Sequence, residues 1–265
     1  MMSVPLPRSI FRDGIFASGE RVLAEETAIA ITYNRVTHAV MMATPGDLQD
    51  FAVGFSLSEG IVPRADAIEE FAVVEAEGGL ELRMWVAPAH MAALETRRRR
   101  LAGATGCGMC GLESLAEALR PVPSAPAGLV FAPEMILRAV ASLGPAQVLN
   151  QATRAVHAAG FWTQAGGLVA LREDVGRHNA LDKLYGALVL GGLCAADGIV
   201  VLTSRISIEL VQKAARMGAA MVVAVSAPTA LAVRAAEASG LSLVGVARGD
   251  GFEVFTGGWR VGPAA

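Results

Sequence analysis

Apolar residues along this chain follow two periods. Ala28–Tyr33 and Val36–Ala43 are β-type runs, and the Asn34-Arg35 dipeptide between them suits a hairpin turn. Pro45-Gly46-Asp47 marks a turn and a helix start. From Leu48 to Gly60, Phe51, Phe55 and Leu57 fall on a helical repeat with Ala52 and Val53 between them. Ile68–Glu75 and Leu80–Val86 predict two further strands around Gly78-Gly79, and Pro88 opens a helix running to about Leu101. Residues 1–20 sustain no period and read as an irregular lead-in. Together these elements predict a small α+β unit.

The pattern then breaks. Ala102–Gly111 holds four glycines in ten residues, too many for a helix or strand interior, and reads as a loop before a short helix at Leu112–Leu119. Pro121, Pro123 and Pro126 mark a linker, so the boundary is placed between a domain over 1–120 and a second over 121–265. In the second part strands alternate with helices. The predicted helices are Pro133–Leu143, Arg177–Leu190, Ser207–Met217 and Thr229–Ser239. The predicted strands are Val156–Thr163, Leu168–Glu173, Gly198–Thr203, Met221–Val225, Leu241–Val246 and Phe252–Phe255. Such alternation implies a layered α/β domain with helices on both faces of a sheet.

Composition narrows the function classes. The chain is 53% hydrophobic with a formal net charge of −3, a globular composition without a basic surface for nucleic acid. Arg97–Arg100 is the one basic run, read as a solvated helix face or loop flank. No apolar stretch is long enough to span a bilayer and the first residues do not form a signal peptide, which places the protein in the cytoplasm by expectation. Three cysteines, Cys107, Cys110 and Cys194, are too few and too odd in number for a disulfide scaffold.

Two groups of residues could carry chemistry. Cys107-Gly108-Met109-Cys110 places two thiols in the glycine-rich loop, just before a helix and downstream of Arg97–Arg100, a setting that favours thiolate. The same pair could be half of a structural zinc site, which would need two more ligands; no second Cys-x-x-Cys exists and the four histidines are isolated. The second group, Arg172–Lys183, packs three carboxylates, two arginines, a histidine, an asparagine and a lysine into twelve residues at a strand-to-helix turn. Strand ends and helix N-termini bind ligands in α/β sheets, and His178 and Asp182 share a helix face. A well-capped helix with surface charges would show the same composition. Ser204–Ser207 and Ser226–Thr229 repeat the turn, with hydroxyls that could hold phosphate or cap helices. Three such turns at successive strand ends would line one sheet edge, as a nucleotide pocket does, although no phosphate-loop or dinucleotide fingerprint is present. Arg248-Gly249-Asp250-Gly251 reads locally as a hairpin turn.

These residues resemble a known family. Glu173–Lys183 (EDVGRHNALDK), Cys107–Gly111 (CGMCG), Ser226–Val233 (SAPTALAV) and Gly245–Asp250 (GVARGD) are similar to motifs of the formate dehydrogenase accessory sulfurtransferase family, FdhD/NarQ, as are Met41–Ile61, Val156–Ala159 and Arg205–Gly218. The resemblance covers nearly the whole chain. It implies a C-terminal three-layer cytidine-deaminase-like domain beside the smaller N-terminal α+β domain, and a homodimer. It implies that Cys107 receives sulfur as a persulfide from a cysteine desulfurase, with Cys110 as its partner. The sulfur would pass to the molybdenum bis(molybdopterin guanine dinucleotide) cofactor, bound as substrate, for the catalytic subunit of formate dehydrogenase. No tightly bound metal of its own is implied. The family's cofactor-binding stretch falls on Val246, Ala247, Arg248, Gly249, Asp250 and Gly251, and the place of His157, Arg177, His178 and Ser207 in matched motifs assigns them to the guanine nucleotide. Two positions depart from the pattern: Arg154 and Ser204 stand where the family usually has glycine.

Two other readings are weighed against sulfur transfer. A zinc deaminase needs His-x-Glu and Pro-Cys-x-x-Cys. The triplets here are HAV, HMA, HAA and HNA, and Gly106 precedes Cys107. A carrier that binds the molybdenum cofactor without moving sulfur would share every motif but leave Cys107 unmodified.

Overall fold

A computed structural model describes residues 1–91, 122–127 and 129–263. Three sheets organise it. The six-stranded sheet has the order β12-β11-β10-β9-β7-β8. Its strands are β7 (His157–Thr163), β8 (Gly167–Asp174), β9 (Ile199–Leu202), β10 (Met221–Ala224), β11 (Ser242–Arg248) and β12 (Gly251–Thr256). β9, β10 and β11 run parallel, while β7, β8 and β12 close the sheet antiparallel at its two sides.

β9 and β10 are buried along their full lengths, which explains their continuous apolar sequences. Alternate residues serve opposite faces. Val200, Leu202, Val222, Ala224 and Leu243 pack beneath α5 (Arg177–Leu190), α6 (Ile208–Arg216) and α7 (Ala230–Ser239). Ile199, Val201, Met221, Val223 and Val244 join Phe131 and α2 (Pro133–Ala141) on the other face. The helix predicted over Pro133–Leu143 stops at Ala141, and two short helices, α3 (Leu143–Ala146) and α4 (Val148–Thr153), continue the connection. Arg154 ends α4 at φ 60°, the left-handed backbone that glycine adopts without a side-chain penalty.

The four-stranded sheet has the order β4-β3-β6-β5, built from β3 (Thr27–Tyr33), β4 (Val36–Ala43), β5 (Ile68–Ala76) and β6 (Gly79–Val86). Asn34 and Arg35 both take positive φ, the paired requirement of a tight hairpin. α1 (Leu48–Ser58) lies on this sheet, with Phe51, Phe55 and Leu57 against Ile29, Ile31, Leu82 and Met84. Its opposite side meets α5 so closely that a Cβ on Gly54 would strike the Asp182 carbonyl, and one on Gly186 the Asp50 carbonyl. Two glycines thus join the halves of the chain backbone to backbone.

Residues 1–20 differ from their reading as an irregular lead-in. β1 (Ser3–Arg12) and β2 (Ile15–Ala24) pair antiparallel over their whole length, turning at Asp13-Gly14. The pattern is obscured because most ribbon residues are exposed on both faces, so no polar/apolar alternation is imposed. Most of the helix predicted after Pro88, the glycine-rich loop with Cys107 and Cys110, and the helix over Leu112–Leu119 lie outside the described residues. Among the described residues, no helix is long and apolar enough to cross a membrane.

Candidate functional site

The sheet topology gathers the nominated ligand residues along one edge. β9, β10 and β11 end there, and the N-termini of α6 and α7 open there. β7 runs antiparallel to β9, so its first residue, His157, lies beside the end of β9: Ala158 N–H donates to Thr203 Oγ1 (2.9 Å), and Thr203 N–H to Ala158 O (3.1 Å). β8 ends opposite, with Asp174 paired to His157, and leads through Gly176 into α5.

Most charges of the Arg172–Lys183 block are committed to structure. Glu173 accepts from the backbone N–H groups of Leu149 and Asn150, 2.8 Å each. Asp174 accepts from Thr44 N–H (3.0 Å), Gly176 N–H (2.7 Å) and Asn179 Nδ2 (3.0 Å), and Lys183 donates to the Thr44 carbonyl (2.8 Å). Arg172 pairs with Asp50 at 2.6 Å. Asp182 is buried, accepting from Ser58 Oγ (2.6 Å) and twice from Lys213 Nζ (2.9 Å), which also reaches Glu59 (2.9 Å). Burial pulls the Lys213 ammonium down, but Asp182 and Glu59 outweigh it and hold the group above its ordinary range.

Arg177, His178 and His157 are the residues of this neighbourhood left for a ligand. His178 and Asp182 share the face of α5 that meets α6, where they face Glu209 and Lys213 as two successive rungs. His178 Nε2 comes within 3.2 Å of Glu209 Oε2 without the alignment of a hydrogen bond. Arg177 Nε and His178 Nε2 are buried polar atoms with no hydrogen bond among the described residues. Burial and the neighbouring Arg177 guanidinium drive His178 down to about 4, with Glu209 opposing, so the ring is neutral at physiological pH. Burial and Arg177 lower His157 as well.

Ser207 is the N-cap residue of α6, but its hydroxyl makes no cap bond and donates instead to Glu209 Oε2 (3.1 Å). Glu209 therefore links Ser207 to His178, a role that the sequence reading missed. A carboxylate two residues into a helix opened by an unspent serine was the available signal. Thr229, by contrast, is spent as a cap, accepting from Ala232 N–H (3.3 Å).

The Val246–Gly251 stretch lies at the same edge on β11, three strand positions from β7, or roughly 14 Å at the usual spacing. The nominated residues thus form two groups on one edge. Val246 sits at φ 53°, unusual for a β-branched residue, within a bulge between Gly245 and Arg248. Its N–H donates to Ser226 O (3.3 Å), and Arg248 Nε donates to Val225 O (3.1 Å), so the turn is fastened to the end of β10. Ala247 turns its side chain into the core and could serve a ligand only through backbone atoms. Val246, Arg248, Gly249, Asp250 and Gly251 are exposed. Cys194 is exposed before β9, at the opposite end of the sheet. Cys107 and Cys110 lie outside the described residues.

Known proteins place the chain. The FdhD/NarQ family profile matches residues 24–262. The Sulfur carrier protein FdhD of Agrobacterium fabrum is 50% identical over 256 residues, covering 96% of this chain and 94% of that protein. The protein of the same name from Cupriavidus necator is 46% identical, covering 95% and 89%. A crystal structure described as that of a formate dehydrogenase accessory protein from Desulfotalea psychrophila superposes with a TM-score of 0.79 at 26% identity, covering 98% of this chain and all of that one. With the profile spanning almost its whole length and relatives at half identity, this chain belongs to the FdhD/NarQ family.

Proposed function

We propose that this protein is a cytoplasmic sulfur carrier for formate dehydrogenase, passing persulfide sulfur from a cysteine desulfurase to the guanine-dinucleotide form of the molybdenum cofactor. The names of its relatives support the sulfur-carrying and formate dehydrogenase parts of this reading. The observation that carries the nucleotide part is the ligand edge, where Arg177 Nε and His178 Nε2 are buried without a hydrogen bond among the described residues. A guanidinium beside neutral imidazoles at a helix N-terminus is suited to phosphate, which the guanidinium and backbone N–H groups can bind together. The separation of this group from the Val246–Gly251 turn suits a ligand longer than a mononucleotide. The helix-covered sheet is in keeping with a cytidine-deaminase-like second domain, and the linker at Pro121–Pro126 with two domains divided at residue 120.

In the sulfur step, the Cys107 thiolate attacks the outer sulfur of the donor persulfide. The donor S–S bond breaks, the desulfurase keeps its thiolate, and Cys107 holds S–SH. Attack of the Cys110 thiol on the inner sulfur then releases hydrosulfide to the bound cofactor and leaves a Cys107–Cys110 disulfide, which a thiol reductant reopens. Cys107→Ala should retain the fold and abolish formate dehydrogenase activity in a strain that depends on this protein; full activity would end the proposal. After incubation with a desulfurase and cysteine, the Cys107 peptide should gain about 32 Da as a persulfide. Complete absence of the adduct would favour a carrier that binds cofactor without moving sulfur.

A further inference from the structure

Glu209 brings to the ligand edge a carboxylate that the fold does not neutralise. It is the second residue of α6, where the helix N-terminus favours an anion. Among the described residues, no lysine or arginine nitrogen lies within 4.0 Å of it. Lys213, one turn further along α6, is committed to Asp182, Glu59 and Ser58. The contacts on Glu209 fall on one oxygen. Ser207 Oγ donates to Oε2 (3.1 Å), and His178 Nε2 approaches the same atom at 3.2 Å. Oε1 accepts from no donor among the described residues. The side chain is 30% exposed, so a ligand can reach this oxygen.

The edge is therefore polarised. At the start of α5, Arg177 supplies positive charge, and burial together with that guanidinium opposes a proton on His157 or His178. The start of α6 supplies acceptors. An ionised carboxylate only accepts, and Ser207, having donated its proton to Glu209, keeps its lone pairs. A phosphate placed against Glu209 would meet a like charge. The phosphates thus belong with Arg177, and a donor-rich part of the ligand with Glu209. Guanine has such a part: its N1–H and 2-amino group are neighbouring donors, spaced to match the two oxygens of one carboxylate. Adenine instead puts a bare acceptor, N1, where guanine carries N1–H, and would turn that lone pair toward the anion.

We propose that Glu209 selects the base at this edge, its carboxylate accepting from guanine N1–H and from the 2-amino group while the Ser207 hydroxyl fixes its orientation. The inference rests on the nucleotide part of the proposed function and gives that part a source of base specificity.

Titration of the full-length protein with nucleoside diphosphates tests it. The wild type should bind guanosine diphosphate roughly 10-fold or more tightly than inosine diphosphate, whose base lacks the 2-amino group. It should reject xanthosine diphosphate, which turns a C2 carbonyl toward the carboxylate. Glu209→Gln keeps the shape of the side chain and exchanges one acceptor for a donor. It should weaken guanosine diphosphate roughly 10–100-fold. It should also bind xanthosine diphosphate more tightly than the wild type does, because the new amide N–H meets the C2 carbonyl while the remaining oxygen keeps N1–H. A carboxylate with only a structural role would weaken all three nucleotides alike and bring no gain for xanthosine diphosphate; that outcome would overturn the assignment. So would 2′-deoxyguanosine diphosphate losing as much affinity for the wild type as Glu209→Gln loses for guanosine diphosphate, since the carboxylate would then hold the ribose. If Arg177→Ala weakens guanosine diphosphate while Glu209→Gln leaves the base preference unchanged, the nucleotide edge stands and the base reader alone falls. A wild type that binds no guanine nucleotide ends the nucleotide reading itself.

Discussion

The Nζ of Lys183 lies 2.7 Å from Oδ2 of Asp174, and both side chains are completely shielded from solvent. The pair ties the start of α5 to the β4–α1 turn, because both residues also bond Thr44. Removing one partner of a buried pair strands the other charge. Lys183→Met should therefore cost about 3–5 kcal/mol in urea or guanidinium unfolding. Asp174→Asn added to Lys183→Met should recover part of the loss, since no net charge then remains buried. A cost below about 1 kcal/mol for Lys183→Met would show that the carboxylate is not held as an ion.

The crossing of α1 and α5 makes a second prediction. Gly186→Ala places a methyl against the backbone of Asp50, which cannot move aside as a flexible side chain would. The helices must separate, loosening Asp182 from Ser58 as well. The expected loss is about 3 kcal/mol or more, above the usual range for a single added methyl. Gly192→Ala, whose Cβ would meet no atom within 4 Å, isolates the backbone effect of losing a glycine at φ 66°. Equal losses in the two variants would remove the close crossing as the cause.

Protonation of His178 should set part of the acid limit of stability. In the unfolded chain the imidazole binds a proton near pH 6.5, by the usual value for histidine; in the folded chain it does so only at about 4. Between these values the unfolded state holds more protons, so stability is full above about pH 6.5 and falls as pH drops toward 4. The ring is 30% exposed, which brings the effect to the order of 2 kcal/mol after solvent screening. His178→Gln should flatten this part of the stability profile, and the His178 ring resonances should titrate near pH 4. Titration near 6.5 would mean that water reaches the ring freely.

Guanosine diphosphate is a probe for the ligand edge. Arg177→Ala removes a guanidinium whose buried Nε has no hydrogen bond among the described residues, and a charged hydrogen bond is worth about 1.5–3 kcal/mol, or roughly 10–100-fold in affinity. Calorimetric titration should show that weakening with an unchanged thermal midpoint. Undiminished binding would move the phosphate site away from α5.

Much of the architecture was legible because local pattern and tertiary environment agreed. Ile199–Leu202 and Met221–Ala224 are apolar at every position because helices cover both faces. Asn34-Arg35 announces its turn because both residues must take positive φ. The ribbon was not legible, since exposure on both faces imposes no alternation and Pro5 and Pro7 speak against a strand. In the Arg172–Lys183 block, composition marked the right place but not the division of labour. Asp174, Asp182 and Lys183 look like surface charges or ligand groups, whereas they are buried by Thr44, Ser58 and Lys213, which lie far away in sequence. Leu181 and Leu184 beside them, both fully buried, show in retrospect which way that side of α5 faces. Arg177 and His178 stay available because they precede the turn of helix that α1 covers.

The bonds from Thr44 to Asp174 at the end of β8 and from Ser58 to Asp182 in α5 bear on how such proteins can be recombined. A chimera joining the opening ninety residues of one relative to the remainder of another would inherit Asp174 and Asp182 with Lys183 and Lys213 from one parent, and the donors at positions 44 and 58 from the other. Without a hydroxyl at position 58, Asp182 would lose one of its buried donors and lean on Lys213 alone, whereas the Thr44 N–H bond to Asp174 needs only a residue other than proline in the same turn. Shuffled libraries of this family should therefore yield soluble members chiefly where the two helices and the turn before α1 come from a single ancestor.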